Sequence, residues 1–252
     1  MQLVAYGTQD MYLTGNPQVT FFKAVFRRYT NFSMESIKQN FSGNIDFGRK
    51  ITCTISRNGD LIHRLLLEIE LPTLQKVDSD LSNTGNTTYY GQGWVDEIGH
   101  AIIKSVELEI GGQLIDKHYS EWFSIWNELS LTEGQKNGYD QMIGNQTNTQ
   151  PIYNQDYSKT RFYIPLIFWF NRNPGTALPL IALQYHEVKI NLELNSLSNV
   201  LLEQRTESAD WVKPFSNPNV SIVSCNLYVD YIYLDTDERR RFANANHEYL
   251  IE

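Results

Sequence analysis

Five histidines, two cysteines and 29 acidic side chains are the groups in this 252-residue chain that could do chemistry. A zinc-binding helix would carry two histidines in a His-Glu-x-x-His run, and none of His63, His100, His118, His186 or His247 has such a partner. His186 and Glu187 are neighbours, but neighbours on a strand point to opposite faces. Asp116 and His118 lie two apart and would share a strand face, a spacing that suits an acid–imidazole pair and equally an ordinary polar edge. There is no Gly-x-Ser-x-Gly elbow and no P-loop. Gly91-Gln92-Gly93 follows no recognisable strand and opens no clear helix, so it is no phosphate cradle. The carboxylates Glu68 with Glu70, Glu107 with Glu109, and Glu187 with Glu193 are expected on outward, solvated strand faces. Cys53 and Cys225 lack metal spacing and read as reduced core thiols, with one long-range bridge as the alternative. The residues therefore predict no catalytic site, no metal and no cofactor.

The elements around these groups are strands. Leu65, Leu67, Ile69 and Leu71 alternate with polar positions, as do Val106, Leu108 and Ile110. The same period runs through Val188, Ile190, Leu192 and Leu194, through Val223 to Tyr233, and through Ile51, Cys53 and Ile55. One dry face and one wet face suit antiparallel sheets packed as a sandwich. Asn58-Gly59 and Gly111-Gly112 read as hairpin turns, and Asn173-Pro174-Gly175 as a third turn. Helical spacing appears at Tyr119 to Leu131, and again at Asp235 to Asn244, where Asp235 and Glu238 suggest a capping pair. Two long connectors, Pro72–Gly99 and Thr132–Thr160, read as loops. Within Met1–Phe32, the stretch Phe21, Phe22, Val25, Phe26 and Tyr29 reads as a short helix on the core or an arm for a neighbouring subunit.

Charge and composition narrow the partners. Lys plus Arg number 21 and Asp plus Glu 29, a net −8, which disfavours a phosphate-tracking surface and direct nucleic-acid contact. The longest apolar stretch, Tyr163 to Phe170, is too short to cross a bilayer, so no transmembrane segment is expected. The start lacks the features of a signal peptide, which points to a reducing, cytosol-like compartment. Asn-x-Ser/Thr occurs at Asn31, Asn40, Asn86, Asn145 and Asn219. Asn86 and Asn145 fall in the long loops and are the candidate glycosylation sites, on a secretory route that nothing here indicates.

Longer stretches carry a resemblance. Gln2-Leu3-Val4-Ala5-Tyr6-Gly7, Tyr12-Leu13-Thr14-Gly15-Asn16-Pro17 and Arg27-Arg28-Tyr29-Thr30-Asn31-Phe32 open it. Ile55-Ser56-Arg57-Asn58-Gly59-Asp60, Val106 to Gln113, Leu178 to Val188, and Leu234-Asp235-Thr236 followed by His247 to Glu252 continue it in order. Together they resemble the major capsid proteins of nucleocytoplasmic large DNA viruses. The resemblance implies an all-β antiparallel jelly-roll sandwich of two four-stranded sheets, with short helices in its loops, as the first half of a double jelly roll. It implies an arm at residues 1–32, the roll at 33–234, and a helical linker at 235–252 toward a second roll absent from this chain. A single-roll protein is the alternative. The implied role is structural, not enzymatic: a homotrimer forms a pseudo-hexagonal capsomer. Its partners are neighbouring capsomers and minor capsid proteins beneath an icosahedral shell, assembled in the host cytoplasm into a virion capsid. The two connectors would form outward towers and intersubunit contacts. Two other readings compete: a carbohydrate-binding module stacking sugars on Tyr89, Tyr90 and Trp94, and a cupin-type metal enzyme, whose ligand spacing is missing.

Overall fold

The computed structural model describes residues 30–72, 74, 91–145, 160–204 and 220–251. Its strands are β1 (Phe32–Asn40), β2 (Lys50–Thr54), β3 (Leu61–Leu71), β4 (Gly91–Trp94), β5 (Ile103–Ile110) and β6 (Gln113–Tyr119). They continue with β7 (Thr160–Pro165), β8 (Leu178–Pro179), β9 (Val188–Leu194), β10 (Leu201–Gln204) and β11 (Ser224–Leu234). One sheet runs β1-β11-β3-β7, with the short β8 paired to β3, and the other runs β2-β9-β5-β6. Strands β4 and β10 pair separately. All these pairings are antiparallel. The chain crosses between the two main sheets repeatedly, which is jelly-roll winding.

The alternation in the sequence predicts the dry faces except at Val223, which precedes β11 and is 43% exposed. Leu65, Leu67, Ile69, Cys225, Leu227, Val229 and Tyr231 of one sheet meet Ile51, Cys53, Val106, Leu108, Val188, Ile190, Leu192 and Leu194 of the other. Burying each such aliphatic side chain contributes about 1.5–3 kcal/mol, and a one-residue slip would forfeit the whole row. Both cysteines are free thiols in this core. Gly111 and Gly112 have φ of 60° and 83°, a turn whose twist matches the flanking β5–β6 hairpin. Asn173 accepts from the Gly175 amide at 2.8 Å, as the predicted third turn requires.

Four expectations need correction. Asn58-Gly59 is not a hairpin, because β2 pairs with β9 and β3 pairs with β11, β7 and β8. The segment carries the chain from one sheet to the other, and its glycine serves a close approach: a Cβ on Gly59 would lie 2.7 Å from Tyr231 Cβ. Glu68 and Glu70 are not solvated. Their relative exposures are 5% and 8%, because polar side chains of both flanking strands fold over them. Glu68 accepts from Asn226 Nδ2 at 2.9 Å and Tyr163 Oη at 3.2 Å, and Glu70 accepts from Ser224 Oγ at 3.1 Å. The connectors also contain regular structure, notably an eleven-residue helix at Glu133–Ile143 in the second. Asp235 does cap a helix, accepting from the Thr236 amide at 2.7 Å, but Glu238 reaches forward to Arg241 instead of back to the cap.

The helices are α1 (Ile98–Ala101), α2 (Ser120–Ser130), α3 (Glu133–Ile143), α4 (Trp169–Arg172), α5 (Leu197–Val200) and α6 (Thr236–Asn244). Asp60 ties α6 to the roll: Arg239 reaches both its carboxylate oxygens at 3.0 Å, and the Leu234 amide donates to it at 2.8 Å. Among the described residues no helix is long and apolar enough to cross a membrane. The sequence segment Met1–Tyr29, including the aromatic cluster expected as helix or arm, lies outside the described residues, and Phe32 opens β1.

Candidate functional site

The densest gathering of chemistry-bearing side chains sits among α1, α2 and α3. Sequence positions each helix. Phe123 anchors α2 in the core. Thr132 and Gln135 make a reciprocal capping box at the start of α3, and Gly144 ends that helix with φ 79°. Glu97 caps α1 from a left-handed backbone, φ 50° and ψ 41°.

His100 lies at the centre, with 2% of its side chain exposed. Its Nδ1 lies 3.3 Å from Glu97 Oε2 and 3.2 Å from Ser124 Oγ, while Nε2 lies 3.0 Å from Tyr139 Oη and 3.3 Å from Asn127 Nδ2. A carboxylate only accepts, so Nδ1 carries the proton toward Glu97 and Nε2 is the acceptor. Ser124 in turn donates to Glu97 Oε2 at 2.8 Å. Burial holds His100 below its ordinary pKa, against the pull of Glu97, and pushes Tyr139 up to about 12. This is not a nucleophile–base relay. Ser124 and Glu97 share one ring nitrogen, whereas a relay needs nucleophile and carboxylate on opposite nitrogens. What the arrangement does is fasten three helices together. Sequence reasoning missed it, although Thr132-x-x-Gln135 and Gly144 were the available signals for α3.

The other histidines are dispersed. His118 Nε2 lies 3.1 Å from Asp116 Oδ2, so the predicted shared face is real. The imidazole is buried, stacked on Phe168 at 4.8 Å and edge-on to Phe123 at 6.2 Å, which makes it a packed core group. His63 Nδ1 meets the Phe170 carbonyl at 3.1 Å, and His247 Nε2 meets the Phe242 carbonyl at 2.7 Å. Among the described residues no three His, Cys, Asp or Glu side chains gather in a way that could hold a metal ion. Trp94 is half-buried and stacks on Phe47 at 6.0 Å, while Tyr89 and Tyr90 lie outside the described residues. Asn86 also lies outside them, and Asn145 donates from Nδ2 to Asp140 Oδ1 at 3.1 Å.

The surface is more informative than any pocket. The outer face of the β2-β9-β5-β6 sheet is a lattice of paired charges. Glu107 bridges Lys50 at 2.8 Å and Lys117 at 2.9 Å, Glu193 meets Lys104 at 2.6 Å, and Asn191 links Thr52 to Glu109. Such a face is content in water. Elsewhere large apolar side chains stand out: Phe32 and Met34 on β1, Ile125 and Leu129 on α2, and Tyr185, which is 92% exposed. Arg57 pins the Tyr185 loop by donating to the carbonyls of Leu183 and His186.

Comparison with known proteins gives the family. A family described as the major capsid protein N-terminus matches residues 20–235. The major capsid protein of Pyramimonas orientalis virus is 55% identical over 254 residues, covering 100% of this chain and 57% of its own. That of Paramecium bursaria Chlorella virus 1 is 45% identical over 251 residues, covering 100% and 51%. A quasi-atomic structure of the PBCV-1 virus capsid superposes with a TM-score of 0.70 at 40% identity, covering 92% of this chain and 49% of that one. The Faustovirus major capsid protein shares the fold at a TM-score of 0.69 and 12% identity. This chain spans about half the length of the curated relatives it matches, and its roll corresponds to about half of the double jelly rolls it superposes on. With a family match over most of its length and an independently wound jelly roll beneath it, the chain belongs to the major capsid protein family, matching its amino-terminal region.

Proposed function

We propose that the chain works as the amino-terminal roll of a structural subunit in the capsid of a large double-stranded DNA virus. The family match over residues 20–235, laid on two facing antiparallel sheets, carries this reading. In it, three copies form a pseudo-hexagonal capsomer, capsomers tile an icosahedral shell, and minor capsid proteins lie beneath. Residues 1–32 serve as an arm, 33–234 as the roll, and 235–252 as a linker toward a second roll. Assembly takes place in the host cytoplasm. The subunit performs no turnover and needs no cofactor. Asn86 and Asn145 are its candidate glycan acceptors, and modification of Asn145 would first require its amide to leave Asp140.

The physical mechanism is association. Exposed apolar groups on β1, α2 and the Tyr185 loop add burial at contacts, and the charge lattice stays at solvated faces. Closed symmetry repeats each modest contact many times. Native mass spectrometry of the protein from its natural source tests the oligomer. Three copies, each heavier than 29.2 kDa, support the reading. A lone species at that mass contradicts it.

A further inference from the structure

We propose that His100 is a proton-operated latch for α3: neutral, it holds the last turn of that helix against α1 and α2, and protonated, it lets the helix go. The inference does not depend on the capsid reading.

Helix α3 is held at one end. Glu133 through Gly138 are exposed, with Lys136 reaching only the solvent-facing Glu128, and burial begins at Tyr139 and is complete at Ile143. A cleft of about 640 Å³ lies between α3 and the sheet, lined by Leu65, Leu66, Gly138, Met142 and Leu166. The apolar hold is Ile143 against Gly99, where an added Cβ would stand 3.0 Å from the Ile143 backbone. The polar hold is the Tyr139 hydroxyl, which donates to His100 Nε2 at 3.0 Å and accepts from Asn127.

Protonation strikes at that polar hold. A proton on Nε2 turns an acceptor into a donor, so Tyr139 must rotate its hydroxyl to accept and Asn127, whose Nδ2 lies 3.3 Å away, must turn its amide. The new charge is also desolvated. Charged groups around the cluster are Glu97 from the start of α1, Glu128 from α2, and Glu133, Lys136 and Asp140 from α3. Lys136 already faces Glu128 at 3.8 Å, and Phe123 stacks on the imidazole at 5.7 Å. Glu97 favours the charged ring and burial opposes it, and burial is the larger effect. A histidine whose folded pKa is depressed lends full stability above its ordinary value of about 6.5 and loses it as pH falls through the folded value. Undocking α3 restores water to the ring, so proton uptake and release are linked. The left-handed Glu97 is consistent with a strained clasp, since that backbone disfavours a residue with a Cβ.

Hydrogen exchange of the full-length protein, expressed as protection factors at about pH 7.5 and about pH 5, tests the latch. Amides of residues 133–143 should lose roughly tenfold or more of their protection at the lower pH, while those of β9 hold. His100→Gln keeps an acceptor for Tyr139 and cannot titrate in this range, so α3 should stay equally protected at both. Tyr139→Phe removes the hydroxyl, so α3 should already be poorly protected at neutral pH. Unchanged α3 protection in the parent protein on acidification overturns the proposal. So does an equal acid loss in His100→Gln, or parent-like neutral protection with a full acid loss in Tyr139→Phe.

Discussion

Tyr231 closes over Gly59 so tightly that no side chain fits between them. The ring is wholly buried, its hydroxyl donates to the Ser56 carbonyl at 2.6 Å, and a Cβ on Gly59 would meet Tyr231 Cβ at 2.7 Å. This contact clamps the crossing between the sheets onto β11. Gly59→Ala must push Tyr231 or the crossing segment aside, and we expect it to destabilise the roll by about 1–3 kcal/mol. Tyr231→Phe, which loses the hydroxyl while keeping the ring, should cost about 1 kcal/mol. Urea unfolding of both variants measures the difference.

The same contact shows where sequence and structure part. Alternation placed Leu65, Leu67, Ile69 and the Val188–Leu194 row correctly, because a period of two and one dry face leave a strand a single register. Asn58-Gly59 misled because glycine answers two needs, a turn or a close approach, and the second depends on Tyr231, over 170 residues away in sequence. Glu68 and Glu70 misled for a like reason: their burial comes from Asn226, Ser224 and Tyr163 on neighbouring strands. Helix α3 is hidden in the sequence by its polar surface, because only its last turn is buried and it carries no apolar stripe. Of the candidate site, the Asp116–His118 pair was legible in strand spacing, whereas the His100 cluster joins three helices and no local pattern announces it.

Glu68 offers a second test. Glu68→Ala leaves Asn226 Nδ2 and Tyr163 Oη without their acceptor in a nearly dry place. We expect a loss of about 1–3 kcal/mol in chemical denaturation. Lys104→Ala, which breaks an exposed pair with Glu193, should cost under about 1 kcal/mol and serve as the surface control.

The core thiols should be silent. Burial pushes Cys53 up to about 11 and Cys225 up to about 12, leaving almost no thiolate at mildly alkaline pH. Native protein should react with a thiol-specific reagent only as fast as it unfolds, and both cysteines should react at once in denaturant. Rapid labelling of folded protein would show that the sheets part far more readily than this packing allows.

The charge lattice predicts an acid limb. Hydrogen bonds from Lys50 and Lys117 hold the Glu107 carboxyl below its ordinary range. A depressed carboxyl contributes stability above its unfolded pKa, near 4.3, and loses it as pH falls through the lower folded value. Glu107→Gln should therefore lower stability at neutral pH slightly and flatten the loss below about pH 4. The effect should shrink in high salt, because both lysines are solvent-facing. Thermal melts across pH at two ionic strengths measure it.

The central claim is that this roll is part of the shell itself, and quantitative mass spectrometry of purified virus particles tests it most directly. Peptides from the described core, such as those spanning β5–β6 and β9, should rank among the most abundant in the particle. They should occur at equal copy number with peptides of a second roll. Their absence from purified particles, or their presence at a few copies per particle, would contradict the account.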